Sequence, residues 1–488
     1  MSFSTRSLAL GSVVSLVLLG CGDDKAGTAS ATATMGTTAL TTAPPPTTGG
    51  TDQPTTTDGS ASGDATMTGT TTTTTTGSVS ITGVTTTGNT TEQVKFDLGV
   101  QPDGGMSGGC DGGGGGGGGG GMPAFSFIWI ANSVEGTVSK IDTFTGVEVG
   151  RYVTGPDTTG LGDSNNGPSR TSVNLYGDAA VANRNGGVTK IAARVEDCPD
   201  TNGNGVADTS TGPLDVKPWG QDECVLWHHP TPTNPLAYQE GPRPLAWVGE
   251  IQPDQCPAKN PPLWLGYYKQ AQNLGAFERL DGATGQTLDM VDVPWSGNSW
   301  GPYGGAVNKD GDFFVTGWSS GPAIRIAHDT LAVTVFTNNG FPSYYGMALD
   351  AKGELWVAGC DAILYHLDPA SQIWTNVGTG PGCLRGIMVD KLGRAFIAHN
   401  GFPAGMVVVD TTTKTILNFN VALPGAVTPV GISIDVEGYV WVVDQGGWAY
   451  KVDPDTYQVV LQVMGLNQPY TYSDMTGAGL DLVVNPPG

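Results

Sequence analysis

Between Pro302 and Met464, short apolar runs alternate with polar turns, and one pattern recurs four times. Each copy has a glycine, a short run of small or apolar residues ending in Asn or Asp, a second glycine three residues later, and an aromatic three residues after that. The first glycines, Gly304, Gly346, Gly386 and Gly431, lie 42, 40 and 45 residues apart. Repeats of this length, made of short alternating runs without a helical stripe, are typical of β-propeller blades.

Each copy is interpreted as four short antiparallel strands, A to D. Strand A follows the first glycine and lies nearest the central axis, where small residues are expected because strands from all blades converge there. The Asp-x-x-Gly segment forms the turn to strand B, since Asp bonds its own backbone and Gly accepts positive φ. Strand B carries the aromatic, as Trp356 does in the second copy, and strand D is the polar outer edge.

The same pattern occurs upstream in looser form. Residues 128–132 resemble a strand B, residues 172–177 and 180–182 resemble strands A and B of a blade with a long insertion, and residues 264–266 resemble another strand B. Three degenerate blades and four regular ones predict an all-β, seven-bladed propeller over residues 123–488. The first blade lacks its inner strand, and residues 470–477 are expected to supply it. Ring closure by both ends of the domain removes an open sheet edge.

Residues 1–20 have the features of a targeting segment and not of a folded element. Arg6 precedes an apolar stretch over residues 8–20 that is short for a membrane span. The stretch ends in Leu18-Leu-Gly-Cys21, which resembles a bacterial lipobox, so Cys21 is the expected lipidation site. The alternative is an ordinary secretory signal. Acylation would anchor the protein to the membrane of a bacterial cell envelope, at the outer membrane or the cell surface.

Residues 21–122 are rich in Thr, Ser, Gly and Pro and have few large apolar side chains. They can bury too little apolar surface to offset chain entropy, so a disordered stalk is expected. The whole chain has 45 acidic and 22 basic residues, a net charge of −23. This balance argues against a nucleic-acid partner and against direct adhesion to anionic lipid.

Six cysteines remain after Cys21, and an even number in an exported chain predicts three disulfides. Cys360 closes a strand B and Cys383 precedes the next strand A, so both lie on the face where strand A begins, in adjacent blades. The other four belong to the opposite face. Pairing Cys198 with Cys224, and Cys110 with Cys256, is one solution; other pairings remain open.

The insertion of the second blade, at about residues 195–240, contains a sequence suited to calcium. Side-chain oxygens stand at the first, third, fifth and ninth positions, with a backbone carbonyl at the seventh; these are Asp200, Asn202, Asn204, Asp208 and Val206. Hard cations bind such sets of oxygens. The loop resembles the calcium loops of thrombospondin type 3 repeats and dockerins. Thr211 replaces the bidentate Glu of an EF-hand, so Asp222 or Glu223 is expected to complete a site that braces the loop.

The four regular repeats resemble those of the virginiamycin B lyase-like propellers, with kinship to gluconolactonase-like and NHL propellers. This resemblance implies the fold over about residues 126–485 and, in the lyases, a Mg²⁺ site with a His and a Glu-x-His pair near the axis. The present chain contains no Glu-x-His. At the ends of strands B, only His399 and Asp444 can titrate or bind metal, so they are the sole candidates for catalysis.

The face on which strand A begins is predicted to collect aromatic and polar side chains around the axis. The candidates are Trp300, Tyr303, Trp318, Tyr344, Tyr345, Arg385, Trp448 and Tyr470, with Tyr472, His399 and Asp444 nearby. Such a surface suits a glycan, peptide or protein ligand. The favoured hypothesis is a non-catalytic, lipid-anchored binding module. The alternatives are a divergent metal-dependent lyase or hydrolase using Mg²⁺, and a purely structural envelope protein.

Overall fold

A computed structural model describes residues 126–156, 166–234, 239–252, 256–295, 300–319, 321–338, 340 and 343–487. These residues form seven antiparallel sheets, six of four strands and one of three, whose innermost strands pack side by side around one axis. The predicted seven-bladed propeller is confirmed. The predicted signal peptide, lipidation site Cys21, the stalk and Cys110 lie outside the described residues.

The strands follow one another from the axis outwards in each blade. Blade 1 contains β1 Phe127–Asn132, β2 Thr137–Asp142 and β3 Glu148–Val153. Blade 2 contains β4 Pro168–Val173, β5 Ala179–Asn183, β6 Val188–Ile191 and β7 Val225–His229. Blade 3 contains β8 Leu245–Trp247, β9 Leu263–Lys269, β10 Leu274–Leu280 and β11 Thr287–Pro294. Blade 4 contains β12 Pro302–Val307, β13 Phe313–Gly317, β14 Ala323–Ile326 and β15 Val333–Phe336. Blade 5 contains β16 Tyr344–Leu349, β17 Leu355–Gly359, β18 Ile363–Asp368 and β19 Ile373–Thr379. Blade 6 contains β20 Leu384–Val389, β21 Arg394–His399, β22 Gly405–Asp410 and β23 Thr415–Ala422. Blade 7 contains β24 Pro429–Ile434, β25 Val440–Asp444, β26 Trp448–Val452 and β27 Val459–Met464. The top face is defined here as the face on which the innermost strands begin.

The recurring Asp–Gly–aromatic spacing serves one hydrogen-bonded unit. In blade 5, one Asp350 carboxylate oxygen accepts the backbone N–H groups of Lys352 and Glu354, at 2.9 and 3.0 Å. Gly353 takes φ +76° to close the turn. The other Asp350 oxygen accepts the indole N–H of Trp356 at 3.0 Å. The turn on the lower face is thereby joined to the aromatic that fills the blade.

The C-terminal segment completes blade 1 at the axis. Tyr470 donates its backbone N–H to the Ala131 carbonyl at 3.0 Å, and Trp129 donates to the Met475 carbonyl at 2.9 Å. On its other side, the Thr476 hydroxyl donates to the Ile434 carbonyl of blade 7 at 2.6 Å. The segment lies where the innermost strand of blade 1 would be, between blades 1 and 7, as the sequence predicts.

A short helix, α1 Ala478–Val484, follows the closing segment. It packs against β12, β16, β20 and β24, and its Leu480, Leu482 and Val483 are buried. Lys391, just beyond the lower end of β20, pairs with Asp481 at 2.8 Å. The helix therefore covers the lower ends of four innermost strands. No helix within the described ranges has the length and apolarity of a membrane span.

Two disulfides agree with the predicted pairs. Cys360 is bonded to Cys383 at the top of blades 5 and 6, and Cys198 is bonded to Cys224 across the insertion between β6 and β7. The third predicted pair involves Cys110, which lies outside the described residues, so its partnership with Cys256 stays a prediction.

The expectation of small residues along the axis fails in blades 2 and 3. The innermost strand of blade 3 carries Trp247, which is fully buried and donates its indole N–H to the Ser172 carbonyl of blade 2 at 3.0 Å. Blade 2 has Arg170 at the register position of Gly304 in blade 4. In the regular blades a β-carbon is excluded there: one on Gly346 would lie 2.1 Å from the Arg385 carbonyl oxygen. The axis is therefore asymmetric, with large side chains on one side.

Candidate functional site

A β-bulge near the start of the innermost strands sets the site geometry. The pairing of strands A and B skips residues between Pro302 and Gly304, between Tyr344 and Met347, and between Leu384 and Ile387. A bulged residue has no cross-strand partner, and the bulge redirects its side chain. Tyr303, Tyr345 and Arg385 occupy these bulges.

Three tyrosines and one arginine form a hydrogen-bonded chain at the top of the axis. The Arg385 guanidinium donates to the Tyr345 hydroxyl at 3.0 Å. The Tyr345 and Tyr470 hydroxyls are hydrogen-bonded to each other, and the Tyr303 hydroxyl lies 3.5 Å from that of Tyr470. All four side chains are buried. The closing segment therefore contributes directly to this group through Tyr470.

Three further arginines converge on the same rings. Arg170 lies with its guanidinium carbon 3.2 Å from the ring centre of Tyr472 and 4.8 Å from that of Tyr303. Arg184 lies 4.3 Å from the Tyr470 ring centre, and Arg243 lies 5.8 Å from that of Tyr303. These are cation–π distances. The four arginines and four tyrosines are called the axial cluster: Arg170, Arg184, Arg243, Arg385, Tyr303, Tyr345, Tyr470 and Tyr472.

Burial disfavours the charged form of Arg170. Burial lowers the pKa of Arg170 to about 10. Repulsion from Arg184 and Arg243 adds to this lowering, and interaction with Tyr303 and Tyr470 opposes it. Its Nε has no hydrogen-bond partner among the described residues, and neither has the buried Tyr472 hydroxyl. Buried polar groups of native proteins are normally hydrogen-bonded. The cluster thus contains donors suited to a further acceptor.

The predicted ligand-face residues separate into two groups. Trp300 and Trp318 are partly exposed and lie edge to face at 6.2 Å, and Trp318 also meets Tyr303 of the axial cluster at 6.4 Å. Tyr344 instead packs within blade 5, against Tyr365 and Trp374 at 5.6 and 5.4 Å. Trp448 packs into the core of blades 6 and 7. Tyr344 and Trp448 therefore do not join the axial group.

His399 is held inside blade 6. The side chain is fully buried, its Nδ1 accepts the Gly401 N–H at 3.1 Å, and its Nε2 lies 3.1 Å from the Asn420 side-chain oxygen on the outer strand β23. Burial, partly opposed by the bond to Asn420, lowers the pKa of His399. One nitrogen is bonded to the loop after β21 and the other to strand β23, so both hydrogen-bonding positions of the His399 ring are taken up within blade 6.

Asp444 is likewise engaged by its own loops. One carboxylate oxygen accepts the N–H groups of Val427 and Thr428, at 3.0 and 2.6 Å, and the other accepts that of Gly446 at 3.0 Å. Burial raises the pKa of Asp444, and the three backbone bonds oppose the rise. The carboxylate joins the top loops of blade 7.

One group on the lower face has a composition that suits a metal ion. Atoms of Asp350, Glu354 and His366 lie within 4.8 Å of one another. However, Asp350 serves the turn and Trp356, while His366 lies between Glu354 at 2.7 Å and Lys414 at 3.1 Å. These bonds account for the group as a structural link between strands.

The predicted calcium loop is folded around its acidic residues. The Asp200 carboxylate accepts the N–H groups of Gly203 and Gly205, at 2.7 and 2.8 Å, and Asp208 accepts the Asn202 and Asn204 side-chain amides. Of the two residues expected to complete the loop, Glu223 is the one that contacts it, accepting N–H groups of Thr201, Asn202 and Asp208. Asp222 instead binds Thr209, Ser210 and Cys224.

Sequence reasoning included Arg385 among the candidates but missed Arg170, Arg184 and Arg243. Arg184 and Arg243 flank strands of degenerate blades, where the repeat gives no alignment. Arg170 had a usable signal: once Asn174 is aligned with Asn308, Arg170 falls on the glycine position of the regular blades. A large cation in place of an axial glycine indicates a change at the axis.

Several solved structures are similar to this chain. No protein-family model matches the sequence, and no curated protein matches it significantly. Similar solved structures include a streptogramin B lyase (14% identity, 65% of this chain and 87% of that chain, TM-score 0.46). Virginiamycin B lyase from Staphylococcus aureus (14%, 63% and 88%, TM-score 0.43) and apo AztD from Citrobacter koseri (10%, 71% and 97%, TM-score 0.44) are also similar.

Virginiamycin B lyases are thus among the structural neighbours, as the repeats predict.

Proposed function

We propose that the protein is a lipid-anchored bacterial envelope protein whose propeller binds a ligand on its top face without catalysing a reaction. The observation that carries this proposal is the convergence of buried guanidinium and phenol groups on the axis, beside the partly exposed pair Trp300 and Trp318. Aromatic surfaces with a few convergent polar groups are characteristic of ligand sites.

The path of the chain supports an outward-facing site. The described domain begins with β1, which is the second strand of blade 1 and therefore starts on the lower face. A stalk preceding Phe127 would join that face, and a lipid at Cys21 would place the membrane on the same side. The top face would then point away from the membrane, where a surface glycan, peptide or protein reaches it.

The alternative is a divergent metal-dependent lyase or hydrolase. It requires a titratable group and metal ligands near the axis. The two residues that the sequence offers are His399 and Asp444, and the polar atoms of both are hydrogen-bonded within their own blades. This favours binding over turnover.

Binding and turnover are separated by two measurements on the purified full chain. Glycan and peptide arrays are expected to yield a ligand whose binding is weakened by Trp318→Ala. The control Trp219→Ala changes a partly buried tryptophan of the insertion, which packs on His228 at 5.3 Å, and is expected to leave binding unchanged. Turnover of a streptogramin B antibiotic with Mg²⁺, abolished by His399→Ala, would contradict the proposal.

We also propose that the loop of residues 200–208 binds Ca²⁺ and braces the insertion. The Asp and Asn side chains already point their oxygens into the loop, and carboxylate, amide and carbonyl oxygens are the ligands that Ca²⁺ prefers. Removal of Ca²⁺ is expected to speed proteolytic cleavage within residues 199–223. Limited proteolysis with and without a chelator measures this.

Asp200→Ala is expected to be cleaved rapidly whether or not Ca²⁺ is present. The matched control is Asp281→Ala, because Asp281 closes an exposed turn of blade 3 by accepting N–H groups of Ala283 and Thr284. That variant should keep the Ca²⁺ effect. Equal cleavage of the wild-type insertion with and without Ca²⁺ would contradict the calcium proposal.

A further inference from the structure

The axial cluster concentrates positive charge in a place shielded from water. Arg170, Arg184, Arg243 and Arg385 are each at most 5% exposed, and Arg184 and Arg243 act on Arg170 by repulsion. A buried cation is costly unless an anion or hydrogen-bond acceptors compensate it. The question that the fold raises is what compensates the Arg170 charge.

The described surroundings of Arg170 offer it only partial compensation. Its guanidinium donates to two backbone carbonyls, of Ser169 at 2.9 Å and of Tyr303 at 3.4 Å, and lies against the Tyr472 ring. The charged or titratable groups that act most on it are two phenols and two other arginines. Phenols are neutral at physiological pH. Full negative charge is therefore missing from the described contacts of this residue.

Three donors on Arg170 and on residues next to it or touching it lack a partner in the part of the chain that the structure describes. Arg170 Nε, the Tyr472 hydroxyl and the Ser169 hydroxyl are buried and have no hydrogen-bond partner among the described residues. Ser169 precedes Arg170, and Tyr472 is in contact with the Arg170 guanidinium. A guanidinium N–H and hydroxyl groups are donors of the kind that bind an oxyanion, and charge-assisted bonds of this kind are the strong ones.

Resting on the proposed binding role, we propose that the axial cluster holds the anionic group of a small ligand, a carboxylate, sulfate or phosphate, through Arg170, Tyr472 and Ser169. The body of that ligand packs on Trp300 and Trp318, which border the cluster on the top face. Because the bound anion compensates the buried charge of Arg170, the free protein is less stable than it would be without this cation, and the affinity for the anion is higher.

The test follows the thermal stability of the purified full chain while anions are added at constant ionic strength. The probes are sodium glucuronate, sulfate and phosphate, with glucose as the neutral analogue and NaCl as the ionic-strength control. A ligand that binds only the folded state raises Tm with its concentration. At least one anion is expected to do so, while glucose and NaCl do not. Among the three anions, the largest shift identifies the preferred group.

Arg170→Met is expected to raise Tm in anion-free buffer, because it removes a buried cation, and to weaken the apparent affinity for the anion by about tenfold or more. Arg325→Met is the matched control: this strand C arginine is 37% exposed and 3.8 Å from Asp312, and the variant should change neither property. Tyr472→Phe is a second variant, expected to fold and to weaken anion binding without loss of stability.

The inference is overturned if Arg170→Met lowers Tm and no anion shifts Tm in the wild type. A second result would also overturn it. Asp157 and Asp163 lie in a segment outside the described residues, and Asp157→Asn or Asp163→Asn would destabilise the protein, but not when combined with Arg170→Met. The negative charge that compensates Arg170 would then come from a carboxylate of the chain itself. If the arrays yield a neutral ligand whose binding depends on Trp318, and no anion binds, this inference is wrong and the proposed function stands. If neither an array ligand nor an anion binds, both the inference and the proposed function are wrong.

Discussion

Gly431→Ala is expected to open the ring. A β-carbon on Gly431 would lie 1.9 Å from the Thr471 carbonyl oxygen of the closing segment. Neither strand can yield without breaking the bonds that hold residues 470–476 between blades 1 and 7. Overpacking against backbone reaches the upper end of the usual cost, about 3 kcal/mol or more. Urea unfolding should show this loss, and hydrogen exchange should show that the Tyr470 amide becomes unprotected before the rest of the domain.

Gly340→Ala is the matched control, because among the described residues its β-carbon would meet only the Asn338 side chain, at 3.5 Å. It should unfold like the wild type. If Gly431→Ala also unfolds like the wild type, with Tyr470 still protected, the closing segment is not packed as described.

Asp435→Ala is expected to destabilise blade 7 by about 3 kcal/mol, because it removes the fully buried carboxylate beside the Lys451 ammonium and leaves only the partly exposed Glu437 to pair with it, at 2.6 Å. The Lys451 ammonium lies 2.9 Å from the Asp435 carboxylate and donates to the Thr143 carbonyl of blade 1 at 2.8 Å. Burial opposes the charge, but Asp435 and Glu437 raise the pKa of Lys451. Asp435 also accepts the Trp441 indole N–H at 2.9 Å. Thermal and urea unfolding measure the loss.

Asp350→Ala provides an internal comparison. Asp350 bonds the equivalent turn of blade 5 and the equivalent Trp356, but the strand C residue beside it is the imidazole of His366, where blade 7 has the Lys451 ammonium. The loss at Asp350 should be smaller than at Asp435, and the difference isolates the buried ammonium. Double variants Asp435→Ala with Lys451→Met should recover part of the stability. Equal losses at Asp350 and Asp435 would contradict the charge argument.

The fold was predictable because its signals are local. Asp350, Gly353 and Trp356 act within one turn and one hairpin, so their spacing survives in the sequence and reports the blade directly. The missing inner strand of blade 1 was also predictable, since seven blades with a free first strand leave one place for residues 470–477. The Cys360–Cys383 pair followed from the same strand order.

The candidate site was only partly predictable because it depends on distant contacts. Tyr303, Tyr345 and Arg385 were found through their place before the repeated glycine, but the bulges that direct them to the axis have no sequence pattern of their own. Tyr344 is adjacent to Tyr345 and points into blade 5, a difference of one residue in a strand. Arg170 was missed because blade 2 departs from the repeat where its function would lie.

The helix α1 obstructs the axis from the lower face on the side of blades 4 to 7. Because it lies across the lower ends of β12, β16, β20 and β24, a molecule bound beside Tyr470 is expected to arrive over the top rim and to depart by the same route. Arrival and departure are therefore obstructed together by anything bulky bound at that rim. Changes on the underside, such as those at Lys391 or Asp481, leave both rates untouched as long as the helix stays docked.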